Sequence, residues 1–275
     1  MDRLPEEILR AILAYNLRIP HAEFLLYRDY YHGAAAPDPP RSASHLLVSK
    51  RWLRVGTPLL YECIRLRRPE HTAVVAQLLR AHPHVGAAVR CLRLEGGLGK
   101  ELAHVAKHIT GLRSLYVDVR VKSAHSIAGL KKALSMLNPV GLYIKEQTRH
   151  STNKKMLEVR SLLYAHIKDG RWTSLRTVSL SNRCWHYAPL SRLADSLAQS
   201  SVEDFVCDVE DARRWIERGH IQNVTKLPSI QRVLCRGIAL QKSTEQLLRK
   251  EGLLHADRPK FVFVHGGAMD DERPC

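Results

Sequence analysis

The sequence predicts an α/β fold with an α+β N-terminus, in which a short helical module precedes an irregular solenoid of parallel strands with outer helices. Two observations predict this fold class. A short apolar strand pattern recurs along most of the chain with helical patterns in between, whereas the first sixty residues contain helical patterns only. The 275 residues are 45% hydrophobic and 25% charged, which is ordinary globular composition.

Residues 1–61 form the predicted helical module. The first helix carries apolar residues at helical spacing, at Leu4, Ile8, Leu9, Ile12 and Leu13. Pro5 fits its first turn, where a missing N–H costs nothing. A second helix is expected over residues 43–55, a break at 56–58, and a short third helix over 58–61. Three short helices bury little surface alone, so we expect the module to dock on another surface.

Residues 17–42 are extra material inside this module. The part from Pro20 to Tyr31 has a helical pattern and is aromatic, with Phe24, Tyr27, Tyr30 and Tyr31. The part that follows, HGAAAPDPPR, is typical of a flexible loop. We therefore treat residues 17–42 as an insertion that is partly flexible.

Three blocks of the module resemble an F-box. They are Leu4-Pro5-Glu6-Glu7-Ile8-Leu9, Leu47-Val48-Ser49-Lys50-Arg51-Trp52 and Pro58-Leu59-Leu60-Tyr61. The resemblance implies a non-catalytic substrate-recognition subunit of an SCF-type cullin–RING ubiquitin ligase, which binds a Skp adaptor and through it a cullin scaffold. It also implies adaptor contacts from Leu4, Pro5, Ile8, Leu9, Ile12, Val48, Trp52, Leu60 and Tyr61.

A repeat follows over residues 62–266. The middle apolar position of each predicted strand recurs at Ile64, Leu92, Leu115, Leu142, Val178, Phe205, Val233 and Phe261. Most of these spacings are 27 or 28 residues, with helical patterns between them. About eight stacked strand–helix repeats are therefore predicted, followed by a flexible tail at 267–275. The repeats resemble degenerate leucine-rich repeats, which often accompany an F-box.

The outward strand positions predict a ligand surface. In the predicted register they read Arg65, Arg93, Tyr116, Tyr143, Ser179, Val206, Leu234 and Val262. Tyrosine and arginine are enriched at binding hot spots. We expect Arg93, Tyr116, Tyr143 and Lys145 to bind an acidic or phosphorylated segment of a protein substrate. The alternative is a solvated strand face that the tail or the insertion partly covers.

The positive charge allows a second function. The net charge is +16, and residues 100–183 contribute most of the excess. A basic scaffold that binds nucleic acid or an acidic partner through this region is the alternative, with the F-box-like helices only capping the solenoid. In that case the apolar residues of the first helix should face the repeats. No five bases are consecutive, which disfavours nucleic acid.

Other function classes find little support. No apolar run is long enough for a membrane span, and acids occupy the N-terminus where a secretory leader needs bases. The six cysteines are dispersed, which is typical of a cytoplasmic or nuclear protein. The glycine-rich turn at 96–100 lacks the Ser or Thr of a phosphate loop, and His104 and His108 lack a third ligand. We expect no catalytic, cofactor or metal site.

Overall fold

The computed structural model describes residues 4–21, 24, 43–146, 153–182, 188–237, 241–253 and 260–264. The helices are α1 (Glu6–Leu17), α2 (Lys50–Tyr61), α3 (Pro69–Ala81), α4 (Pro83–Gly86), α5 (Leu102–His108), α6 (Ala128–Leu134), α7 (Lys154–Lys168), α8 (Ala188–Leu197), α9 (Val209–Glu217), α10 (Gln222–Thr225) and α11 (Gln241–Lys250), with a 3₁₀ turn at Ala43–Leu47. The strands are β1 (Cys63–Leu66), β2 (Cys91–Glu95), β3 (Ser114–Asp118), β4 (Gly141–Glu146), β5 (Thr177–Asn182), β6 (Asp204–Asp208), β7 (Arg232–Arg236) and β8 (Lys260–Val264).

The N-terminal helices pack around a small core of their own. It consists of Leu9, Leu13, Leu17, Leu46, Val55 and Leu59. The three α1 residues follow a spacing of four, so they share one side of that helix. Ser49 starts α2, because its hydroxyl oxygen accepts a hydrogen bond from the Trp52 N–H at 3.3 Å. The helical unit therefore has a core separate from that of the repeats.

Helix α2 corrects the predicted break at residues 56–58. The helix is continuous from Lys50 to Tyr61, and Pro58 lies inside it with an exposed side chain. Gly56 is a packing position: a Cβ placed there would lie 2.3 Å from Leu46 Cδ2 and 3.1 Å from Leu17 Cδ1. The missing side chain allows α1, the 3₁₀ turn and α2 to approach closely. Gly56, which predicted a helix break, is therefore a position of close contact between these elements.

The repeat region forms a parallel sheet whose strands lie in chain order from β1 to β8. The register joins Ile64 to Leu92, Leu115, Leu142, Val178, Phe205, Val233 and Phe261 across all eight strands. This is the row of middle apolar positions that the repeat predicted, so the register is confirmed. Sequential parallel strands with intervening helices make a solenoid-like α/β fold.

The main core lies between one face of this sheet and the helices. It takes alternate strand residues, such as Leu92 and Leu94 of β2, and Phe205 and Cys207 of β6. Alternation follows from the strand period of two, which sends neighbouring side chains to opposite faces. Cys207 is fully buried in this core.

Some expectations lie outside the described residues. They include Tyr27, Tyr30 and Tyr31 of the insertion, its Pro/Ala-rich part, and the tail at 267–275. Within the described ranges, no helix combines the length and the apolar composition that crossing a bilayer requires.

Candidate functional site

Helix α1 carries a second apolar stripe, whose side chains are partly or largely exposed. Ile8 is 50% exposed, Ile12 43% and Tyr15 92%, and Leu4 continues the stripe just before the helix. These residues follow spacings of four, four and three, so they line one side of α1. The side that contains Leu9 and Leu13 faces the helical core instead. A single helix therefore supports an internal contact and offers an external one.

The start of α2 extends this exposed surface. Leu47 and Val48 precede α2 and are exposed, at 84% and 56%. Arg51 in the first turn of α2 donates a hydrogen bond to the Leu4 carbonyl oxygen. One turn later, Arg54 and Glu6 form an ion pair at 2.6 Å. These contacts hold the start of α1 against the start of α2.

The nine residues expected at an adaptor interface differ in their exposure to solvent. Leu4, Pro5, Ile8, Ile12 and Val48 are exposed, and Trp52, Leu60 and Tyr61 are half-buried. Leu9 is a correction: it is buried in the helical core and has little surface left for a partner. The sequence reading missed Tyr15, Leu47 and Leu53, which are also exposed. For Tyr15 the helical spacing from Leu4, Ile8 and Ile12 was an available signal.

The strand face is not open where a ligand surface was expected. Arg93, Tyr116, Tyr143 and Lys145 have exposures of 1%, 5%, 7% and 3%. Phe24 packs against Tyr116 and Tyr143, so the insertion covers part of this face. The expectation of an accessible face is therefore wrong at these four residues, which are not solvated either, and of the alternative only the coverage by the insertion is observed, where Phe24 packs on Tyr116 and Tyr143. The physical reason is that packing the rings of Phe24, Tyr116 and Tyr143 together removes apolar surface from water, which stabilises the folded protein.

A charged cluster lies at the end of β1 and β2, beside the covered face. Arg65 is 3.0 Å from Glu95, and Arg67 is 3.3 Å from the same carboxylate. Arg93 forms a third ion pair with Glu95. One carboxylate thus holds three guanidinium groups.

The basic residues of the middle region are spread over several elements. Exposed examples are Lys100, Lys107, Arg113, Lys122, Lys132, Lys154, Lys168 and Arg171. Of these, Arg171 pairs with Asp169 at 3.6 Å, and Lys131, which is also exposed, pairs with Glu158. In the part of the chain that is described, no three histidine, cysteine, aspartate or glutamate side chains are grouped to hold a metal ion.

These features define a solenoid-like α/β protein with a separate helical unit that exposes an apolar stripe. No protein-family model matches the chain, and no curated protein matches it.

Proposed function

We propose that this chain is a substrate-recognition adaptor of an SCF-type cullin–RING ubiquitin ligase. The helical unit would bind the Skp adaptor, and the repeats would hold a protein substrate. The observation that carries the proposal is the exposure of Leu4, Ile8 and Ile12 along one side of α1, together with that of Leu47 and Val48 before α2. These residues belong to the blocks that resemble an F-box.

The exposure of this stripe argues against a unit that only caps the solenoid. A cap would bury the apolar residues of α1 against the repeats, but Leu9, Leu13 and Leu17 pack against the 3₁₀ turn and α2. Ile8 and Ile12 remain half-exposed. Several exposed apolar side chains on one side of a helix are consistent with a site for a protein partner.

The proposed mechanism is proximity. The chain would raise the effective concentration of a substrate lysine near a ubiquitin thioester that another subunit carries. No residue of this chain needs to react. The structural requirement is that the helical unit and the repeat unit bind their partners at the same time.

Copurification with a Skp adaptor tests the proposal. The wild-type chain is expected to form a one-to-one complex. The double variant Ile8→Ala, Ile12→Ala should bind at least about tenfold more weakly, because each buried isoleucine side chain contributes about 1.5–3 kcal/mol. Its thermal stability should stay close to wild type, since neither side chain belongs to the helical core.

Two further variants control this test. Arg10→Ala changes an exposed residue of α1 outside the stripe and should bind like wild type. Leu13→Ala changes the buried side of α1 and should lower stability. A wild-type chain that forms no complex with the adaptor would contradict the proposal and direct attention to the basic middle region.

A further inference from the structure

A second, smaller apolar cluster lies on the face of the sheet opposite the main core. It contains Phe24, Cys91, Tyr116 and Tyr143, with Ile19 and Cys63 packed against it. Phe24 is only 3% exposed. Phe24 and Ile19 come from the insertion, whereas Cys63, Cys91, Tyr116 and Tyr143 come from the neighbouring strands β1 to β4. The cluster is therefore a pocket on the strand face that a remote segment of the same chain fills.

Two polar contacts align the segment that brings Phe24 to the pocket. The Phe24 N–H donates to the Pro20 carbonyl oxygen at 2.9 Å, which forms one helical turn. His21 Nε2 lies 3.0 Å from Ser114 Oγ. The His21 ring also meets the Tyr143 ring edge-on, with the ring centroids 5.7 Å apart. The segment thus contacts β3 and β4 through side chains that point at the pocket.

Arg93 forms the polar end of the pocket. Its guanidinium carbon lies 4.0 Å from the centroid of the Tyr116 ring, and its Nε pairs with Glu95. Its Nη1 donates a hydrogen bond to the carbonyl oxygen of Phe24. The first two contacts come from the sheet itself, so we expect Arg93 to keep its position without Phe24. The third contact is a hydrogen bond to a backbone carbonyl oxygen, which any peptide can supply.

We propose that this pocket is a peptide-binding site and that Phe24 occupies it as an internal ligand. The ligand class is a peptide with an aromatic side chain for Cys91, Tyr116 and Tyr143, whose own carbonyl oxygen accepts from Arg93. Peptide binding here does not depend on the adaptor. The role of this pocket as the substrate site rests on the proposed function. A covered pocket replaces the accessible strand face that the sequence predicted.

Because Phe24 is covalently linked to the rest of the chain, it limits the affinity of the pocket for a free partner peptide. An internal ligand competes at an effective concentration on the order of millimolar. A partner peptide must therefore displace Phe24, and the wild-type chain should bind free peptide weakly. Removing the Phe24 ring should expose the apolar part of the pocket, while Tyr116 and Glu95 hold Arg93 in place. The backbone carbonyl of residue 24 remains in the variant, so the probe must still compete with it for Arg93.

Fluorescence anisotropy with a labelled peptide tests the proposal. The probe has the sequence of residues 18–27, RIPHAEFLLY, and the protein is the full chain with Phe24→Ala. We expect saturable binding to this variant and binding to the wild-type chain that is at least about tenfold weaker. A probe with alanine in place of its phenylalanine should also lose at least about tenfold in affinity.

A second variant tests the polar contact. Phe24→Ala, Arg93→Met should bind the probe more weakly than Phe24→Ala, with circular dichroism that matches the single variant. The proposal is overturned if Phe24→Ala folds like wild type but does not bind the probe. It is also overturned if that variant is unfolded, because Phe24 would then be a structural residue.

Gel filtration tests whether a second copy of the chain, rather than a partner peptide, occupies the pocket. If the Phe24→Ala chain captures the wild-type chain as a dimer, the site belongs to a second copy and the partner-peptide assignment fails. The assay contains no Skp adaptor. A failure to bind the peptide would therefore not count against adaptor binding. A failure to bind the adaptor would not count against peptide binding.

Discussion

Arg160 Nη1 lies 2.6 Å from Glu146 Oε1, and both side chains are buried where β4 meets α7. Burial raises the pKa of Glu146 above its ordinary value, and the nearby Arg160 charge only partly offsets this. The folded protein therefore holds the Glu146 proton more tightly than the unfolded chain does. Ionising Glu146 costs stability as the pH rises from the ordinary pKa towards the raised one.

Replacing Arg160 should cost more stability at neutral pH than in mild acid. Arg160→Met leaves a buried carboxylate without its cation, which typically costs about 3–5 kcal/mol. Protonation of Glu146 relieves this cost, so the loss should be smaller at pH 5 than at pH 7.5. Urea denaturation at both pH values measures the difference. Adding Glu146→Gln should recover part of the loss, and a pH-independent loss would contradict the explanation.

Gly56 should show a strong dependence on Leu46. Gly56→Ala gains about 1 kcal/mol of helix propensity, but its methyl group must displace the Leu46 side chain 2.3 Å away. We expect a net loss of stability in the wild-type background, because overpacking costs about 1–3 kcal/mol. The same change should cost less in a Leu46→Ala background. Equal effects in both backgrounds, measured by thermal unfolding, would refute the contact.

Gly129 should tolerate alanine poorly. A Cβ there would lie 1.9 Å from the Gly99 carbonyl oxygen, which belongs to the backbone of the loop after β2. Gly129→Ala should therefore lower stability by about 1–3 kcal/mol, since one of the two backbones must move. Gly170→Ala is the control: its φ is +61° and no atom lies near the added Cβ. Its cost should be about 1–2 kcal/mol from backbone strain alone, and urea denaturation compares the two.

Cys207 and Cys235 should resist alkylation in the folded protein. They are register partners on β6 and β7, and both are fully buried. The hydrogen bond with Cys235 and burial both raise the pKa of the Cys207 thiol, which leaves little reactive thiolate. Mass spectrometry after iodoacetamide treatment should find both unmodified in native buffer and modified in concentrated guanidinium. Cys63 is partly exposed and serves as the internal reference; rapid native modification of Cys207 would contradict its burial.

The strand register was predictable from the sequence, but which residue covers the strand face, and at which strands, was not. Apolar residues at Ile64, Leu92 and Leu115 recur because each strand must bury one side against its own helix, and that requirement is local to each repeat. The partner of Tyr116 is Phe24, which is distant in sequence and has no periodic relation to it. Burial by a remote segment leaves no pattern in the strand itself.

The sequence by itself determined the α/β class, the strand register and the helical nature of the N-terminus, because these follow from the spacing of apolar residues along the chain. Only the tertiary structure decided that Leu9 faces inward while the adjacent Ile8 stays exposed, that α2 is continuous through Gly56, and that Phe24 fills the strand-face pocket. Each of these outcomes depends on the shape of a surface that several separated segments build together. Side-chain spacing in one segment carries no information about such a surface.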